Sequence, residues 1–171
     1  MDNECVFSAD RRHRYTLIHR PNPLFSSSGE RLLMWVGLNP STADESQLDP
    51  TLTRILGYSV REGYDGFIMT NLFAWRATLP ADMKVAPDPV GPDNDRWLLE
   101  CARRCGKVVA AWGSHGSFLG RDAHVCSLLN GIPMMRLTLN ADGAPGHPLY
   151  LKKTLPLVPF ALWSDSQASV D

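Results

Sequence analysis

Nothing in the sequence is long and apolar enough to cross a bilayer. The longest apolar runs, Leu32–Leu38 and Val108–Trp112, are strand-sized, far short of the ~20 residues that a membrane-spanning helix needs. The N-terminus carries Asp2 and Glu4 where a signal peptide has a basic start and an apolar stretch. The expected location is therefore the cytoplasm, with no membrane partner. An excess of charge is missing too: 17 Lys and Arg against 18 Asp and Glu leave a net charge of −1. That argues against a protein that coats nucleic acid non-specifically, because neutralising phosphates supplies most of such affinity. A local basic face remains open to it, since Arg11, Arg12, Arg14 and Arg20 cluster at one end and Lys152 and Lys153 at another. Metal-type cysteine spacing is likewise absent. Cys101 and Cys105 stand four apart in a helical pattern, with no second pair to complete a site among Cys5 and Cys126. Buried thiols are expected, and neither a metal nor a cofactor.

What is present fits one α/β domain. A chain of 171 residues with 44% hydrophobic content can bury about two-thirds of its unfolded surface around one core. The domain is expected over 1–160, with a polar, frayed tail over 161–171. Cys5–Phe7 and Arg14–Ile18 flank a polar turn and read as an N-terminal β-hairpin. Leu32–Gly37 is a continuous apolar run of the kind a strand buried on both faces shows. Asp49-Pro50 is a helix cap followed by proline at the first helical position, and Leu52, Ile55 and Leu56 repeat at helical spacing as far as Gly63. A second core strand is expected over Gly66–Leu72, and an exposed loop over Leu79–Gly91. A helix capped by Asp93 or Asn94 follows, with Trp97, Leu98, Cys101 and Ala102 as its inner stripe and Gly106 at its end. Lys107–Trp112, Ser117–Leu129 and Ile132–Leu137 complete the pattern as strand, helix and strand. The expected architecture is a three-layer α/β/α fold with a central, mostly parallel four-stranded sheet plus the hairpin. In such a sheet the ligand site lies at the carboxyl ends of the strands.

Three loop motifs fall at those ends: Gly37-Leu38-Asn39-Pro40-Ser41, Thr70-Asn71-Leu72-Phe73-Ala74-Trp75-Arg76, and Gly146-His147-Pro148-Leu149-Tyr150. Each alone has a structural explanation. Asn and Pro serve turn geometry, a lone Asn71 is more often a satisfied turn amide, and His-Pro is commonly structural. Together, in this order, they point to the mouth of a nucleotide- or base-binding pocket formed by Gly37, Leu38, Pro40, Ser41, Asn71 and Phe73. Asp49 reads as a helix cap, with Asp44 and Glu45 favouring the helix's positive end. Trp35, Trp75, Trp97 and Trp112 read as core, His115 and His124 as surface residues. Arg76, next to the second motif, is suited either to a phosphate or to a surface ion pair.

This order of motifs, with Val108–Gly113 between the second and the third, resembles the uracil-DNA glycosylase superfamily over roughly 32–155. A closer resemblance, spanning nearly the whole chain, is to the bacterial and phage domain family of unknown function numbered 1643. It is carried by Arg12–Leu17, Leu38–Asp44, Asn71–Ala74 and His147–Leu151. The glycosylase resemblance implies that Asn39 holds the attacking water, as in the mismatch-specific branch, and that Asn71 reads the Watson–Crick edge of a flipped base. It implies further that His147 stabilises the leaving base, and that Leu149 or Tyr150 wedges into the duplex. Trp75 stands where an iron–sulfur branch has a cysteine, so no cluster is expected. An amide cannot accept a proton as a carboxylate does, which leaves Asp44 as the candidate base. Ser41 stands where the uracil-specific branch has a tyrosine that closes the pocket against C5 substituents.

These resemblances lead to the expectation of a monomeric, monofunctional DNA glycosylase. It removes a flipped, C5-modified pyrimidine, such as hydroxymethylated or glucosylated cytosine of phage DNA, from double-stranded DNA and leaves an abasic site. The biological setting would be anti-phage defence or base repair. Arg76, Leu149, Tyr150, Lys152 and Lys153 are the expected DNA contacts. Two other classes stay open: a non-catalytic module that binds a nucleotide or modified base, and a small-molecule nucleoside hydrolase or transferase.

Overall fold

The computed structural model describes residues 3–22, 29–42 and 46–162. Its strands are β1 (Glu4–Phe7), β2 (Arg14–His19), β3 (Leu32–Gly37), β4 (Gly66–Asn71), β5 (Val108–Ala110), β6 (Met134–Arg136) and β7 (Val158–Pro159). Its α-helices are α1 (Pro50–Arg61), α2 (Pro80–Lys84), α3 (Asn94–Cys105) and α4 (Arg121–Leu128). The strands form one sheet in the order β1-β2-β4-β3-β5-β6-β7. β3 pairs in parallel with β4 and β5, and β5 with β6. β1, β2 and β7 add antiparallel pairings at the flanks.

Among the described residues the sheet thus has seven strands, where a four-stranded sheet plus the hairpin was expected. The hairpin is not an appendage: β2 zips antiparallel onto β4, with Leu17 opposite Met69 and Ile18 opposite Ile68. This covers a backbone edge that would otherwise be left open. β7 went unread because a strand of two residues in a segment with Pro156 and Pro159 carries no period.

Period-two alternation in β3 sends its side chains to two cores. Leu33 and Trp35 pack with Leu52, Ile55 and Tyr58 of α1. Leu32, Met34 and Val36 pack with Leu98, Cys101 and Ala102 of α3 and Val125 of α4. Helices therefore cover both faces, and β3 is buried along its whole length. A buried bond from Trp35 Nε1 to Ser59 Oγ, 3.0 Å, locks α1 to the sheet.

Three local expectations are corrected. The 79–91 loop holds the short helix α2, begun by Pro80 and anchored by the buried Met83. The expected helix over 117–129 is split into a 3₁₀ segment, Ser114–Gly120, and α4. The break lies where Phe118 is extended and Leu119 and Gly120 have positive φ. On α3, Trp97 is only half-buried; Asn94 takes its place on the inner face with Leu98, Cys101 and Ala102. The expected tail lies, from residue 163 on, outside the described residues. Among the described residues no helix is long and apolar enough to cross a membrane.

Candidate functional site

Parallel strands deliver their following loops to one edge, and there the chain forms a cleft of about 560 Å³. The ends of β3, β4 and β5 line it through Gly37–Ser41, Asn71 and Ala111–His115. The start of α1, with Asp49, closes one side, and His147 and Pro148 close another. Asn39, Asn71 and His147 thus share one cleft.

Asn71 ends β4 in register with Gly37 and is only 3% exposed. Its side-chain amide makes no hydrogen bond to any described residue. The strand end behind it is held rigidly. The buried Asn94 Nδ2 donates to the carbonyls of Asn71 and Leu72, both at 3.0 Å, and Arg121 Nε donates to Leu72 O at 2.8 Å. These carbonyls have left the sheet ladder, and two side chains take over as partners. Arg121 is braced by Asp95, which also bonds His124. Burial alone would raise the Asp95 pKa, but those two partners hold it below the usual carboxylate value. Gly37 makes room in front: a Cβ there would stand 2.8 Å from Asn71 Oδ1 and 2.6 Å from Met69 Cε.

Asn39 is placed differently. Its Nδ2 donates to Ala77 O at 2.8 Å and Pro40 O at 3.1 Å. Two carbonyl partners require the NH₂ end of the amide, so Oδ1 is left as the free acceptor. The bond to Ala77 clamps the loop after β3 to the segment after β4.

His147 follows Gly146, where a Cβ would run into Thr138 Oγ1. That close approach brings the His-Pro loop down beside the sheet edge. The backbone N–H of Leu149 donates to His147 Nδ1 at 3.2 Å. A neutral imidazole has one donor and one acceptor nitrogen, so its proton sits on Nε2. The ring is open to solvent on one side, yet the cleft desolvates it enough to lower its pKa below the usual imidazole value. The negative charge of Asp49 opposes this, but the neutral donor form is favoured.

The remaining expected residues divide. Gly37, Leu38, Pro40 and Ser41 line the cleft. Phe73 does not: it is fully buried and packs on Phe118, because Phe73 N–H bonds Leu38 O and the chain turns inward there. Asp44 lies outside the described residues. Leu149, Tyr150 and Lys153 line a neighbouring groove with Pro50, Arg54 and Tyr58. Tyr150 is 89% exposed with φ of 67°, a left-handed conformation uncommon for a bulky residue. Lys152 is exposed, and its carbonyl accepts from Tyr58 OH. Arg76 is half-buried beside Phe7 and donates to Arg11 O. Arg20 belongs to the opposite end of β2, paired with Glu4 and Glu30.

Cleft residues that the sequence did not point to include Arg14, Asp49, Ser114, Asn140 and His115, the last of them expected only on the surface. Arg14 is only 6% exposed, although it sits in what reads as a surface cluster of arginines. For Asp49 a signal was available, because a helix that follows a parallel strand begins at the ligand-binding edge. Among the described residues no group of three or more metal-ligating side chains is gathered.

No curated protein and no solved structure matches the chain. The model of DUF1643, described as a protein of unknown function, matches residues 14–149. That span runs from Arg14 to just past Pro148 and so takes in all the residues that line the cleft; the chain belongs to the DUF1643 family.

Proposed function

We propose that this protein is a DNA glycosylase with a uracil-DNA glycosylase-like α/β/α fold. It acts in the cytoplasm as a monomer, in anti-phage defence or base repair. It hydrolyses the N-glycosidic bond of a flipped, C5-modified pyrimidine in double-stranded DNA. The observation that carries this reading is Asn71. The residue is nearly buried, and its side-chain amide, with no partner among the described residues, is left for a group that enters the cleft to bond. One acceptor and one donor side by side match the Watson–Crick edge of a pyrimidine.

His147 supports the same reading. A bond that breaks toward an oxocarbenium-like sugar needs stabilisation of the departing base, and a preorganised neutral Nε2–H supplies it. The cleft volume falls within the ~300–1,000 Å³ of small-ligand pockets, with the small Ser41 on its wall; this favours a pyrimidine enlarged at C5. Tyr150, Arg54, Lys152 and Lys153 on one side of the cleft, with Arg11, Arg12 and Arg76 near the β1–β2 turn, suit a duplex whose target nucleotide is turned out of the stack.

The test is to incubate the protein with duplexes carrying uracil, mismatched thymine, hydroxymethylcytosine or glucosylated hydroxymethylcytosine, and to score alkali-labile abasic sites. Cleavage of the C5-enlarged duplexes ahead of uracil is expected. Free base released only from nucleosides would point instead to a small-molecule nucleoside hydrolase. Tight binding without release would favour a non-catalytic module, a second reading suited by the engagement of the Asn39 amide with its own backbone.

A further inference from the structure

The glycosylase reading needs a base for the attacking water: Asn39 has no proton-accepting carboxylate, and Asp44, the candidate from the sequence, lies outside the described residues. The cleft does hold one. Asp49 is the one acidic side chain among the described residues that line it. The residue is half-buried and sits at the start of α1, where Oδ1 accepts from Leu52 N–H at 2.7 Å. That bond fixes the carboxyl group in orientation, and Oδ2 has no partner among the described residues. Leu52 and Ile55, both buried, form the apolar wall beside it. Across the same cleft stand the unpartnered Asn71 and the donor His147.

We propose that Asp49, resting on the glycosylase reading of this cleft, is the general base that binds and deprotonates the attacking water. Capping α1 is then only half of its work: one oxygen holds the helix and the other faces the reaction. In the step, the water oxygen bonds to C1′ of the sugar while one of its protons passes to Asp49 Oδ2. The C1′–N bond breaks, and its electron pair leaves with the base, which accepts a hydrogen bond from His147 Nε2–H. The base takes up a proton from solvent and Asp49 later returns its own there, so the sum is addition of water across the glycosidic bond. Asn39 is a positioning residue in this scheme, its Oδ1 accepting from the same water. The negative charge of Asp49, felt at His147, also favours the positive charge that develops on the sugar.

The test compares wild type with Asp49→Asn and Asp49→Ser in single-turnover base release from the best duplex of the panel above, alongside duplex affinity and thermal melting. Asn and Ser both cap helices well, so the fold and melting are expected to be kept. Release is expected to fall by ~10²–10⁴-fold, the usual contribution of a general base, with affinity nearly unchanged. Release that stays close to wild type in both variants would reduce Asp49 to a cap and leave the glycosylase reading standing. Parallel loss of affinity and release would make it a binding group and equally overturn the proposal. A wild type inert on every duplex would remove the glycosylase reading and the role of Asp49 with it.

Discussion

Two asparagines stand at the ends of adjacent parallel strands, and their surroundings differ. At the end of β4, Asn71 is nearly buried, its backbone carbonyl held by Asn94, its side chain left without a described partner. Just beyond β3, Asn39 is more exposed, yet its NH₂ is taken up by two carbonyls of the protein itself. On the proposed reading, the same residue type serves as a reader in one loop, while in the other its hydrogen bonds make it a brace. Burial alone does not distinguish a ligand-binding amide from a structural one; the hydrogen-bond inventory does.

The largest effect that sharpens this comparison is steric. Ser41→Tyr is expected to abolish release of a glucosylated base, because a tyrosine ring on the cleft wall fills space that the close-packed surroundings cannot give back. Release of hydroxymethylcytosine and glucosylated cytosine from matched duplexes measures it. Undiminished release of the glucosylated base would place the bulky substituent elsewhere.

Next comes His147→Ala, expected to lower release by ~10²-fold or more, the scale of one oxyanion-type donor. A pH profile adds a second reading of the same residue. Only the neutral ring can accept from Leu149 N–H, and the folded-state pKa lies below the ordinary 6.5. Activity that depends on this form is therefore retained at neutral pH and lost as pH falls through that lowered value. The same sign holds for stability. The unfolded chain binds the proton more tightly, so this group's contribution begins to drop as pH falls below about 6.5. An acid limb centred above 6.5 would contradict the neutral-donor assignment.

The asparagines themselves are expected to separate in kind. Asn71→Ala should lower release by about 10–100-fold through loss of two hydrogen bonds at ~0.5–1.5 kcal/mol each, with melting little changed. Asn39→Ala should lower release less and, unlike Asn71→Ala, destabilise the fold by about 1–2 kcal/mol, read by denaturant titration, because Ala77 O and Pro40 O lose their donor. The reverse pattern would exchange the two roles. Smallest of all, Lys152→Ala with Lys153→Ala should weaken DNA binding and reduce its salt slope by about one to two units.

The parts of the fold that a sequence shows are those with a period or a stop signal. β3, β4, α1 with its Asp49-Pro50 start and the end of α3 at Gly106 all stand where apolar spacing and cap residues place them. Residues without either were hidden. β7 is too short to alternate, and the break at Leu119 is a backbone conformation that no local residue preference announces. In the site, the strand-end motifs led to Asn39, Asn71 and His147, but side-chain direction was not legible. Phe73, two residues from Asn71, turns into the core, whereas Asp49, read as a cap, turns one face to the cleft. Asn94 could be read as a cap candidate, but its grip on the Asn71 strand end spans 22 and 23 residues and depends on the packing of α3.

The most direct test of the reader-and-brace distinction is to follow the side-chain amide resonances of both asparagines by NMR. The ligand is a duplex whose target nucleotide carries a 2′-fluoro sugar, which slows bond cleavage and holds the bound state. A large shift of the Asn71 NH₂ pair is expected on binding, with the Asn39 pair nearly unmoved because its partners are Pro40 O and Ala77 O. A saturating duplex that leaves Asn71 unshifted would contradict the claim that this cleft reads a base.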